Sequence, residues 1–244
     1  MKMNNIWFIM KRELNGYFAT PVAYVFIISF LLLTGFSTFF VGNFFERGEA
    51  DLYPFFSIHP WIYVLLIPAI SMRLWSEERK SGSIELLMTL PVSVFEAVLG
   101  KFLAAWAFTG LALMLNFPLW LTVNYLGSPD NGVIFAGFVG SFLMAGGFLA
   151  IGACVSATTK NQVIAFVLSL IVSLIFVLSG YGIVLDFFSS WAPMALVDAV
   201  SSFSFLTHFD AISKGVIDMR DMLYFASVIL VWLFANAIVV NARK

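Results

Sequence analysis

Charged residues are scarce in this sequence: 11% of its 244 residues, where soluble domains carry about 25%. No run of Lys or Arg exceeds two residues and the net charge is −1, which leaves no basic field for nucleic acid. One cysteine, Cys154, lies inside an apolar segment. That excludes a disulfide framework and a cysteine-ligated metal cluster, and it reads as a small buried residue. The two histidines, His59 and His208, have no serine motif or metal-ligand spacing around them, so no hydrolytic or zinc constellation is visible. A phosphate-cradling loop is missing too. Gly100-Lys101 is followed by Phe102, with Phe95 where the motif requires its first glycine.

Apolar residues are abundant instead. They make up 61% of the chain, with 28 Phe and 7 Trp, more than a soluble globule can hide. Six stretches are long enough for a bilayer-crossing helix, which needs about 20 mostly apolar residues. They are roughly 21–41, 58–75, 98–126, 132–156, 163–185 and 221–241. Thr20-Pro21 reads as a helix start, Ser93 with Glu96 as a capping box, and Asp218 as a cap with Asp221 in the first turn behind it. The first span follows Lys11, Arg12 and Glu13, and it is longer than a signal core, so it is expected to stay uncleaved. The expected fold is all-α: a polytopic membrane protein with six transmembrane helices.

The positive-inside rule orients it. With both termini in the cytoplasm, ten of the 13 basic residues lie inside: Lys2, Lys11, Arg12, Arg73, Arg79, Lys80, Lys101, Lys160, Arg243 and Lys244. Outside lie only Arg47, Lys214 and Arg220, against nine acids. The spans 21–41, 132–156, 163–185 and 221–241 contain no Lys, Arg or His, and their only acid is Asp221 at a boundary. An ion-coupled carrier needs ionisable groups near the midplane, and a channel needs a charge ring or carbonyl filter; neither is visible. Gly137, Ser141 and Ala145 put one small residue per turn on the fourth span, which predicts a close helix contact. Pro68 and Pro118 should kink their helices.

Two cytoplasmic segments stand out. In residues 1–20, Ile6, Trp7, Met10, Leu14, Tyr17 and Phe18 fall on one side of a helical wheel. Asn5, Lys11, Arg12, Asn15 and Gly16 fall on the other, with Phe8 and Glu13 as exceptions. That predicts an amphipathic helix at the membrane interface, whether as a simple anchor or as something more. From Arg73 onward, mixed charges give way to Gly82, which breaks the helix. Ser83 then opens a short one whose Ile84, Leu87 and Met88 share a face until Pro91. Two turns with exposed apolar residues are unstable alone in water and need either a membrane surface or a partner groove.

The pattern Glu-Glu-Arg-x-Ser-Gly-x-Ile-Glu-x-Leu-x-x-x-Pro-Val-Ser over Glu77–Ser93 resembles the intracellular loop of ABC type-2 permeases. The start with Lys11-Arg12-Glu13 is similar to that family as well. The stretch from His208 to Asp221 is similar to its gliding-motility-associated branch. This resemblance implies a transmembrane domain over 21–244 that pairs with a second permease copy or a homologous permease. Its partners would be a cytoplasmic ABC ATPase, which binds the ATP and Mg, membrane lipid, and an extracytoplasmic protein. Residues 82–90 would be the coupling helix and residues 1–20 the connecting helix, carrying Lys11, Arg12 and Glu13. Glu77, Glu78 and Arg79 would hold the loop by ion pairs, with Gly82 and Ser83 shaping it. Ile84, Leu86, Leu87 and Met88 would dock into the ATPase, and Glu85 would meet a basic residue there. The outer stretch 186–219 would form re-entrant helices. The implied function is the non-enzymatic permease subunit of an ATP-driven exporter in the bacterial inner membrane, exporting a substrate or doing mechanical work outside. A non-transporting scaffold or channel subunit is the alternative, and it would tolerate charge reversal in 77–90.

Overall fold

Each apolar stretch becomes a helix where its flanks supply caps, and it breaks where a proline or a close contact requires it. The computed structural model describes residues 3–84 and 91–242, and among these it contains only helices and connecting turns. Helix α1 (Met3–Phe18) precedes α2 (Pro21–Phe36), which runs into a π-helical turn at Ser37–Val41. Next come α3 (Tyr53–Ser71) and α4 (Arg73–Ser81), then α5 (Val94–Met114) and α6 (Phe117–Leu126). Two further long helices are α7 (Asn131–Ser156) and α8 (Gln162–Leu178). Three short ones follow, α9 (Gly182–Ser189), α10 (Met194–Ser202) and α11 (Phe205–Ser213), before α12 (Met219–Ala242).

Five stretches are long and apolar enough to cross a membrane: Pro21–Val41, Tyr53–Ser81, Val94–Leu126, Asn131–Ser156 and Met219–Ala242. The sixth candidate is α8 with α9, bent by 69°. The expected span over 163–185 is therefore broken rather than continuous. The break holds a close approach: a Cβ at Gly180 would lie 2.2 Å from Ser204 Oγ and 2.7 Å from Thr207 Oγ1. The chain passes against the start of α11 there, and only glycine fits.

Local signals act where their partners are local. Ser93 and Glu96 form both halves of the capping box, with Glu96 N–H donating to Ser93 Oγ (3.2 Å) and Ser93 N–H to Glu96 Oε2 (3.0 Å). Asp218 accepts from Arg220 N–H at 2.9 Å. Thr20 departs from the expectation, because its hydroxyl donates back to Tyr17 O at 3.1 Å rather than capping α2. Pro118 breaks its helix two residues ahead of itself, at Leu115–Asn116. Its ring excludes the carbonyl four residues back and it offers no N–H. Pro68 lies inside α3, and the break comes at Met72, whose N–H still reaches Pro68 O (2.9 Å).

Helix α7 is the centre of the packing, touching α3, α5, α8, α11 and α12. Its small residues let neighbours approach closely, as expected. A Cβ at Gly137 would meet Phe56 at 2.5 Å, Ser141 shares a 2.8 Å hydrogen bond with the Tyr63 hydroxyl, and Ala145 is fully buried. Helix α9 buries nothing and α10 only Val197, whereas α11 buries Phe205, Phe209 and Ile212.

Length adds a constraint. Val94–Leu126 has 33 residues, about 50 Å at 1.5 Å per residue, against a hydrocarbon core about 30 Å thick. Tyr53–Ser81, with 29 residues, also exceeds that thickness. The charged residues of these two stretches lie in α4 and in the first turns of α5.

Candidate functional site

The charged ends of α4 and α5 are joined by α1, which runs parallel to α5. Three contacts set the register. Asn5 Nδ2 donates to Glu96 Oε2 at 3.2 Å, Ile6 and Ile9 pack over Gly100, and Tyr17 stacks on Phe108 with centroids 5.2 Å apart. A Cβ at Gly100 would lie 2.8 Å from Ile9 Cβ, so glycine allows the two helices to touch. Ile6 and Ile9 are buried, while Trp7 and Phe8 are 60% and 67% exposed. Trp7 therefore does not share the packed face with Ile6, because that face is centred on α5.

Midway along this contact lies a cluster of four charges. Lys101 Nζ is 3.2 Å from Glu13 Oε1 and 2.8 Å from Glu78 Oε1. Arg12 reaches Glu13 at 2.6 Å and Glu78 at 3.7 Å. Two cations and two anions thus tie together α1, α4 and α5. The Lys101 side chain is only 3% exposed, and its ammonium lies 5.3 Å from the centre of the buried Trp75 ring. Burial alone would push the Glu13 carboxyl up; Lys101 and then Arg12 outweigh that and hold it below its ordinary range. Burial likewise drives the Tyr17 phenol up, so it stays neutral.

A second tie runs to α7. Ser156, at its end, accepts from the backbone N–H groups of Trp75 and Ser76, both at 3.1 Å, and donates to Met72 O at 2.7 Å. One hydroxyl thus satisfies two amides of the first turn of α4, which have no partner within their own helix. The Arg79 guanidinium donates to Ala157 O, just beyond α7. Arg73 pairs with Glu77 one turn along α4, at 3.0 Å. Gly82 then ends α4 with φ +75°, a left-handed conformation that glycine adopts without penalty. Ser81 and Ser83 hydroxyls meet at 2.9 Å, and Ile84 is 9% exposed.

Of the residues singled out from the sequence, Arg12, Glu13 and Glu78 meet in one cluster. Glu77 and Arg79 make separate ties, and Gly82, Ser83 and Ile84 follow at the helix end. Lys11 is exposed on α1, apart from the cluster. Glu85, Leu86, Leu87 and Met88 lie outside the described residues. Sequence reasoning missed Lys101 and Ser156. A signal for Lys101 existed, since Glu13 falls on the apolar side of its helical wheel and a buried acid requires a buried cation. His59 is fully buried among Phe30, Phe55, Phe56 and Tyr63, and its Nδ1–H donates to Phe55 O at 2.7 Å.

A 70-residue segment is 36% identical to heme exporter protein B of Rhodobacter capsulatus, covering 28% of this chain and 32% of that relative. The chain thus matches about a third of that protein's length. Residues 50–241 match the family described as ABC-2 family transporter protein. With that match over most of its length and with five, or up to six, membrane-crossing helices, this multi-pass membrane chain belongs to the ABC-2 transporter family.

Proposed function

We propose that this chain is the permease subunit of an ATP-driven exporter in a bacterial inner membrane. A cytoplasmic ABC ATPase would drive it, and a second permease copy or a homologous permease would complete the pore. The observation that carries this reading is the charge cluster of Arg12, Glu13, Glu78 and Lys101. It fastens the segment leading into residues 82–90 to α1 and α5, while Ser156 fastens the same segment to α7. A push on the 82–90 loop would therefore move three membrane helices as a body. That is what a coupling element must do, since rigid shifts of packed helices switch transport states. Helix α1 acts as the connecting helix beside it, with Lys11, Trp7 and Phe8 facing away from α5 toward the ATPase.

ATP and Mg bind, and hydrolysis takes place, in the ATPase chain. Helices α9–α11 form the re-entrant element on the outer side, where α11 is packed and α9 and α10 are not. Irregular backbone at membrane depth requires such protein cover. The output is export of a substrate or force on an extracytoplasmic partner; the likeness to gliding-motility-associated permeases supports the second, and the match to a heme exporter supports the first.

The test is affinity purification from native membranes in mild detergent. A stoichiometric ATPase should accompany the wild-type chain and disappear with Leu87→Asp, while the variant still inserts. Copurification that survives Leu87→Asp would remove the docking role from residues 82–90. Absence of any ATPase would remove the permease reading itself.

A further inference from the structure

At the opposite end of the molecule, the start of α12 carries a second ionisable pair that the coupling site does not use. His208 Nδ1 lies 2.6 Å from Asp221 Oδ1, and His208 Nε2 lies 3.0 Å from Ser202 O. The ring stacks on Tyr224 at 3.9 Å between centroids, and the Tyr224 hydroxyl donates to Phe203 O at 2.6 Å. The side chains of His208 and Asp221 are 17% and 12% exposed.

Counting hydrogens shows what this geometry requires. A carbonyl oxygen can only accept, so Nε2 carries a hydrogen. The contact between Nδ1 and Asp221 needs another, since an unprotonated ring nitrogen facing a carboxylate at that distance is repulsive. The pair thus holds one proton more than a neutral imidazole beside a carboxylate would. Few other charges bear on it. Helices α7 and α8 contain no acid, base or histidine, α3 offers only Tyr53, His59 and Tyr63, and α10 only Asp198. On its own helix Asp210 is paired with Lys214 at 2.6 Å; just before α12 Asp218 accepts from the Arg220 N–H, and on α12 the exposed Arg220 guanidinium is, among the described residues, the one cation beside Asp221.

The latch holds something that little else holds. Helix α10 buries only Val197, so the bonds from His208 to Ser202 and from Tyr224 to Phe203 are its main ties to α11 and α12. Helix α11 is anchored independently by Phe205, Phe209 and Ile212, and Ser204 caps it with bonds to Leu206 N–H (3.1 Å) and Thr207 N–H (3.4 Å). We propose that His208 and Asp221 form a proton-binding site that latches α10 to the last membrane helix. The extra proton keeps the latch closed; its loss as pH rises frees residues 194–203 while α11 stays docked. On the orientation proposed above, the site faces the extracytoplasmic side, but the latch itself does not depend on any ATPase.

The experiment is hydrogen exchange on the full chain in phospholipid nanodiscs from pH 5.5 to 8.5, corrected for the intrinsic rate, with ¹⁵N-histidine spectra of the same samples. There are only two histidines, and His59→Phe assigns the signals. At low pH both ring nitrogens of His208 should carry hydrogen and 194–203 should be protected. At high pH one ring hydrogen is lost and exchange across 194–203 rises roughly tenfold, the scale of one charged hydrogen bond, while 205–213 is unchanged. Asp221→Asn should keep the latch closed at every pH, because its amide can donate to a neutral ring nitrogen. Exchange across 194–203 that ignores pH in the wild type, or follows it equally in Asp221→Asn, overturns the proposal. If Asp221→Asn does not fold, the wild-type titration decides alone.

Discussion

Replacing Lys101 by Met should destabilise the protein severely, although the two side chains have similar length and the change adds an apolar group to an apolar place. Lys101 Nζ makes contacts of 2.8 Å and 3.2 Å with Glu78 and Glu13, whose side chains are 19% and 20% exposed. At an effective dielectric near 20, each contact is worth about 5–6 kcal/mol of attraction before desolvation is subtracted. Arg12 is half exposed and cannot compensate two partly buried carboxylates. Removing one partner of a buried ion pair costs about 3–5 kcal/mol, and that is the loss expected for Lys101→Met. Adding Glu78→Gln should recover part of it, because removing both partners together leaves less uncompensated charge. The pH dependence carries a sign. In the wild type Glu13 sits below its ordinary value of 4.5, so its contribution is full above that value and is lost as pH falls through the lowered one. Without Lys101 the largest influence holding the Glu13 carboxyl down is gone, so the variant should lose less stability on acidification than the wild type does. Unfolding titrations with denaturing detergent from lipid micelles, at pH 7 and at pH 4, measure both effects. A Lys101→Met loss within about 0.5 kcal/mol, the range of an ordinary surface change, would refute the cluster as a buried tie.

Three further substitutions test the packing around α7. Ser156→Ala leaves the N–H groups of Trp75 and Ser76 buried without their acceptor and should cost about 1–3 kcal/mol, read in the same titrations. Hydrogen exchange should localise that damage to α4. Glycine positions should divide by space. Gly152→Ala would place its Cβ 2.0 Å from Ser71 Oγ and 2.6 Å from Ser71 Cβ, which should cost about 1–3 kcal/mol of overpacking. Gly35→Ala meets nothing within 4 Å and should be neutral or stabilising by up to about 1 kcal/mol. Equal effects from the two would sink the close contact between α7 and α3.

What the sequence revealed follows from the range over which each interaction acts. Helix existence was legible because an apolar run needs only its own residues and the surrounding solvent to declare itself. The Ser93–Glu96 box was legible because both halves lie within one turn. The close approach at Gly180 was not, because its other side is Ser204, the cap of α11, more than twenty residues on. Thr20 failed as a cap for a local reason: its hydroxyl found the Tyr17 carbonyl on the preceding helix before it found an amide of the next.

The charge cluster was half legible, and the missing half is instructive. Lys101 read as a cation at the cytoplasmic edge of a span, where solvent would dispose of it. That reading assumes the helix begins at the membrane surface. The third span is instead longer than a bilayer's hydrocarbon core is thick, and the apolar face of its first turns is covered by protein. Helix α1 supplies the cover through Ile6, Ile9 and Tyr17, and a cation enclosed there has to find carboxylates on the covering helices. Glu13, placed on the apolar side of α1, is the sequence's own trace of that requirement. An acid on an apolar face, together with a helix longer than the membrane, is sufficient to argue for a buried ion pair, even though neither observation names Lys101 alone.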